Sequence, residues 1–149
     1  MKTYRINALL FILLTLNVLN IRCGKTKDPV GSDNVNSDPQ EQVILTISAE
    51  EANTLIEENK DNSAFVIIDV RTAGEYATGY IANAININFY DADFESNVNL
   101  LDKSGTYLIY CASGNRSGQA LTVFEQLNFM SVYNLAGGIY TWINAGYPV

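Results

Sequence analysis

Histidine is missing from this chain altogether. Its absence removes Ser–His–Asp triads, Cys–His dyads and the commonest zinc and haem ligation, so any nucleophile here must be activated electrostatically. Cysteine is nearly as scarce, with Cys23 and Cys111 the only two. A bridge between the edge of an apolar leader and a core loop makes no scaffold, so disulfides are not what holds this fold. Two of the three prolines, Pro29 and Pro39, fall within one polar tract. Basic residues then run short. From Val43 onward Lys60, Arg71, Lys103 and Arg116 stand against twelve carboxylates, a balance of −8 within a whole-chain net charge of −7. So acidic a domain does not hold nucleic acid by charge, and any anion must be captured by a local device.

What is present begins with a leader. Met1–Arg5 is short and basic, and Ile6–Ile21 is apolar except for Asn7, Thr15, Asn17 and Asn20. Residues 1–22 therefore read as a secretory signal peptide; an uncleaved membrane anchor is the alternative. Residues 23–42, rich in Asp, Asn, Ser, Lys and Gly and without hydrophobic period, read as a flexible tether. Cys23, directly after the leader and directly before the tether, resembles the lipidated cysteine of bacterial lipoproteins. Arg22 departs from the small residue usual before that cysteine. The expectation is an exported protein of the periplasm or cell envelope, lipid-anchored if Cys23 is modified.

Residues 43–149 alternate strand and helix signals. Val43–Ile47 reads as a strand, and Ser48-Ala-Glu-Glu51 as a capping box opening a helix to about Asn59. Phe65–Val70 is a continuous apolar run, the kind buried on both faces of a parallel sheet. Thr72–Thr78 is a short helical turn stopped by Gly79, Ala84–Phe89 another strand, and Asp91–Asp102 weakly helical. Tyr107–Cys111 is a strand. From Ser117 a helix places Ala120, Leu121, Phe124 and Leu127 on one face. Ser131–Leu135 is the last strand, and after a Gly137-Gly138 turn Ile139–Asn144 is the last helix, with Trp142 filling core. The alternation predicts an α/β domain with a largely parallel central sheet flanked by helices in three layers.

Cys111 ends a buried strand and opens Ala-Ser-Gly-Asn-Arg-Ser117 ahead of a helix. There the loop N–H groups and the positive end of the helix dipole face the sulfur, which lowers a thiol pKa and favours the nucleophilic thiolate. Asp69 and Arg71 fall at a neighbouring strand end, where ligands gather in open α/β sheets. Both read mostly as architecture: a buried carboxylate satisfying loop N–H groups and an arginine paired nearby. Glu75, four residues beyond Arg71, is its candidate partner.

Three stretches together resemble the rhodanese family. Phe65–Asn88, FVIIDVRTAGEYATGYIANAININ, is similar to the family's first signature; CASGNRS at Cys111–Ser117 resembles its active-site loop; LAGGIYTWINAGYPV at Leu135–Val149 resembles its closing signature. They cover nearly all of residues 43–149, as in the single-domain branch. The resemblance implies a sulfurtransferase in which Cys111 takes up sulfane sulfur as a persulfide. Ala112, Ser113, Gly114, Asn115, Arg116 and Ser117 would cradle that sulfur and a substrate oxyanion, Arg116 orienting an anionic donor such as thiosulfate. Tyr80 stands where the family usually has histidine, and Ala112 and Ser113 supply no early cation.

The implied reaction is a double displacement from a small anionic donor to a thiol or cyanide acceptor. It requires no metal or organic cofactor, and a monomer is expected. With no second cysteine in the domain, the acceptor must come from outside. Two alternatives remain. One is a persulfide carrier or binding module serving a partner protein without turnover. The other, weaker, is a cysteine-type phosphatase: its C-x5-R loop lands on Ser117 here, because Arg116 follows Cys111 after only four residues.

Overall fold

The computed structural model describes residues 41–149. The leader and nearly all of the tether, Cys23 included, lie outside the described residues. The tether's last residue, Gln42, already belongs to the domain: its side-chain amide donates to the Phe129 carbonyl at 2.9 Å and to the Glu125 carbonyl at 3.2 Å.

Five strands, β1 (Val43–Ile47), β2 (Phe65–Asp69), β3 (Ile85–Asn86), β4 (Thr106–Tyr110) and β5 (Ser131–Leu135), form one sheet in the order β1-β5-β4-β2-β3, every pair parallel. Five helices connect and cover them: α1 (Ala49–Glu58), α2 (Ala73–Tyr76), α3 (Phe94–Asn99), α4 (Asn115–Gln126) and α5 (Gly138–Asn144). The expected three-layer α/β architecture is present. A central strand of a parallel sheet is buried on both faces, and β4 shows the consequence. Tyr107, Ile109 and Cys111 join the cluster containing Phe94, Val98, Ala120 and Phe124 of α3 and α4; Leu108 and Tyr110 join that of Ala49, Ala52, Ile139 and Trp142 on the α1 and α5 side. The two-residue period of the strand thus decides that the Cys111 thiol faces α4.

Local signals account for most element ends. Ser48 and Glu51 complete the capping box of α1, with reciprocal bonds of 3.2 and 2.8 Å. Thr72 and Glu75 build a second one on α2. Trp142 is buried as expected, its indole N–H donating to the Pro148 carbonyl at 2.9 Å.

Two elements differ from expectation. The strand expected over Ala84–Phe89 shrinks to Ile85–Asn86 because the chain beyond it is held by single bonds rather than a ladder. Ile87 N–H donates to the Asp69 carbonyl and Phe89 N–H to that of Val70, while the Asn86 amide spans the carbonyls of Asp69 and Arg71. The helix expected from Ser117 begins at Asn115, because Gly114 adopts the left-handed conformation at φ 86° and ends the loop early. Asn115, Arg116 and Ser117 are therefore the first turn of α4 rather than loop.

Candidate active site

Cys111 directly follows β4, and its thiol is almost wholly covered, at 1% exposure. Two donors converge on Sγ: the Gly114 N–H at 3.2 Å and the Ser117 hydroxyl at 3.5 Å. Burial pushes the thiol pKa up. Hydrogen bonds from the Ser117 side chain and from the backbone of Ser117, Ser113 and Gly114 outweigh it, and the result lies below the ordinary thiol value. The free N–H groups of the first turn of α4 supply much of this field, and the Arg116 guanidinium on the same turn also attracts the Cys111 thiolate. Ser117 is itself fully buried, on the same helical stripe as Ala120 and Phe124.

The loop is held from beneath by α5. Ile139 N–H donates to the Cys111 carbonyl at 2.9 Å and Tyr140 N–H to the Ala112 carbonyl at 3.2 Å. Gly138, at φ 61°, lies so close under the loop that a Cβ there would overlap the Cys111 carbonyl oxygen and the Ala112 carbonyl group. Gly137-Gly138 is therefore more than a turn, since its second glycine fits against the backbone of Cys111. Sequence reading missed this support; the doublet was the only signal for it.

The expected partnership of Arg71 with Glu75 is not what forms. Arg71 turns back on Asp69, with Nε and Nη2 donating to the carboxylate, the shortest bond 2.6 Å, while Nη2 also donates to the Gly79 carbonyl. Both residues are buried. Asp69 accepts one backbone N–H, that of Arg71, at 2.9 Å, so it serves its own turn rather than the Cys111 loop. Glu75 instead receives Arg116, from 41 residues away, through two parallel bonds of 2.8 and 2.6 Å. The same Glu75 carboxylate accepts the Thr72 N–H and hydroxyl at 3.0 and 2.8 Å. The Arg116 bond holds the Glu75 carboxyl down at about 2. The guanidinium also lies 5.5 Å from the centre of the exposed Tyr90 ring. Nothing in the sequence pattern singled out Tyr90.

Of the remaining positions singled out, Ala112 is half-buried over the α5 amides, and Ser113 and Asn115 are exposed. The Asn115 side chain is tied along α4 by Gln119 at 2.6 Å. Tyr80 stacks on Tyr76 at 4.2 Å between ring centres, a local packing role.

A parallel α/β domain that seats a strand-end cysteine in the amides of a following helix holds a site that favours a thiolate. The Rhodanese-like domain family model matches residues 48–145. The chain is 33% identical over 89 residues to a sulfurtransferase of Allochromatium vinosum, covering 60% of this chain and 81% of that protein. It is 28% identical over 121 residues to rhodanese-like domain-containing protein 17 of Arabidopsis thaliana, covering 73% and 74%. Among solved structures, a rhodanese-related protein from Thermoplasma volcanium superposes with a TM-score of 0.58 at 34% identity, covering 69% of this chain and 94% of that one. The chain belongs to the rhodanese-like family of sulfurtransferases.

Proposed function

We propose that this protein moves sulfane sulfur from a small donor, of which thiosulfate is the simplest, through a Cys111 persulfide to a thiophilic acceptor such as cyanide or a thiol. The observation that carries the reading is the cradle around Sγ: a buried thiol whose two hydrogen-bond partners, the Gly114 N–H and the Ser117 hydroxyl, are both donors. That environment favours the thiolate and suits the extra sulfur of a persulfide, which is itself an anion. With thiosulfate the first displacement forms the Cys111 S–S bond and breaks the donor's S–S bond, and the electron pair leaves with sulfite. The acceptor then takes the outer sulfur and restores the thiolate.

Cys111 is the only cysteine of the domain, so the acceptor comes from outside. That fact also supports the second reading, a carrier that loads once and waits for a partner protein. The two separate on thiosulfate-dependent thiocyanate production by the full chain, with Cys111→Ser alongside. Sustained turnover that the substitution abolishes supports the enzyme; loading without turnover supports the carrier.

Placement in the cell envelope belongs to the same proposal. Its support is the Met1–Arg5 and Ile6–Ile21 pattern followed by Cys23. Metabolic labelling with a fatty acid, lost in Cys23→Ser, is the outcome expected of a lipid anchor.

A further inference from the structure

The domain from Val43 onward has four basic side chains, and the fold sends two of them away from Cys111. Lys60 precedes β2 and Lys103 precedes β4, so both stand at N-terminal strand ends, whereas Cys111 follows the C-terminal end of β4. A strand of that length spans roughly 17 Å. The other two, Arg71 and Arg116, reach the site end with their charge already answered, Arg71 by Asp69 and Arg116 by Glu75. Arg116 is the one that matters for an anion. Its planar fork, the geometry that would receive the oxygens of an oxyanion, is filled by both oxygens of Glu75, and its side chain is 13% exposed. Displacing Glu75 would also open the α2 cap, because the same carboxylate holds Thr72. Toward a donor the pocket thus offers amide and hydroxyl dipoles but no uncompensated cation among the described residues, in a domain of charge −8.

We infer that the Glu75–Arg116 pair is a specificity device, tuning the site to persulfides of small thiols that carry at most one negative charge and against the thiosulfate dianion. The inference rests on the sulfurtransferase reading and selects the donor within it. In the favoured step the Cys111 thiolate attacks the outer sulfur of R–S–SH. The Cys111 S–S bond forms, the donor S–S bond breaks with its electron pair leaving on R–S⁻, and the proton passes from the transferred sulfur to that leaving thiolate, giving the anionic Cys111 persulfide and R–SH. Charge is conserved at −1. The thiosulfate route expels sulfite with two negative charges, which a site without a free cation stabilises poorly.

The test is the rate of single sulfur loading onto the full chain, held in mild detergent and read by intact mass, with cysteine persulfide and with thiosulfate at equal concentrations. Cysteine persulfide is expected to load faster by about tenfold or more. Glu75→Gln keeps an oxygen for the Thr72 N–H but releases the Arg116 charge, and should raise the thiosulfate-to-persulfide rate ratio by roughly fivefold. Arg116→Gln leaves Glu75 unanswered and should lower that ratio by a similar factor. Because the readout is a ratio, a general loss of folded protein cancels. Equal loading from the two donors in the native chain, or a ratio that neither substitution moves in its expected direction, overturns the inference. No loading from either donor overturns the sulfurtransferase reading instead.

Discussion

The backbone of Gly138 lies directly against that of Cys111: the Cys111 carbonyl accepts the N–H of the residue after Gly138, Ile139, at 2.9 Å, and leaves no space for a side chain on Gly138. The Cys111 loop is thereby clamped between two helix N-termini. The first turn of α4 addresses the sulfur and the first turn of α5 addresses the carbonyls beneath it. A substitution in the closing segment should therefore damage the chemistry without touching the thiol.

Gly138→Ala is expected to do so. It adds a Cβ at φ 61° and into the Cys111 carbonyl, for a destabilisation of roughly 1–3 kcal/mol. Sulfur transfer should fall further than the folded fraction does. Urea unfolding alongside loading rate separates the two effects, and native-like loading would show that the clamp is dispensable.

The Ser117 hydroxyl lowers the Cys111 pKa against burial more than any other single hydrogen bond does. Thiolate, and with it reactivity, is present above that pKa and lost as pH falls through it. Ser117→Ala should shift the pH profile of Cys111 alkylation upward, because the thiolate loses one hydrogen-bond donor. An unmoved profile would assign the activation to the backbone amides alone.

Much of this was legible in the chain and some was not, for definite reasons. Apolar runs such as Phe65–Val70 and the stripe Ala120, Leu121, Phe124 announce buried strands and a covered helix, because burial imposes its period on sequence. Cys111 stands out by its place between strand and glycine-bearing loop. Pairing does not follow from spacing in the same way. Glu75, four residues beyond Arg71, looks like its partner by spacing, yet Arg71 lies before the N-cap Thr72 and turns back on Asp69. Glu75 finds Arg116 only because the sheet brings β2 and β4 side by side, so that α2 meets α4. The carboxylate that closes a local capping box therefore has a second, long-range partner that no local pattern reveals.

The buried Asp69–Arg71 pair should be costly to break. Asp69→Asn leaves a buried guanidinium without its countercharge, an expected loss of about 3–5 kcal/mol. Chemical denaturation measures it. A loss below about 1 kcal/mol would mean that the Gly79 carbonyl and nearby groups carry Arg71 unaided.

Glu75 sets an acid limit. Its folded carboxyl is held at about 2, below the ordinary value of 4.5, so the stability it contributes is complete above about pH 4.5 and is lost as pH falls toward 2. Glu75→Gln should flatten that part of the stability-versus-pH curve, most of the difference from the native chain vanishing at the acid end. Parallel curves would show that the pair adds nothing to folding.

The most direct test of the central claim is the mass of Cys111 itself. After brief exposure of the full chain to cysteine persulfide or thiosulfate and removal of excess donor, intact and peptide mass analysis should show a gain of about 32 Da, one sulfur atom, on the Cys111 peptide. The gain should be reversed by cyanide and absent in Cys111→Ser. An unmodified Cys111 after both donors, in folded protein, would contradict the assignment of this site to sulfur transfer.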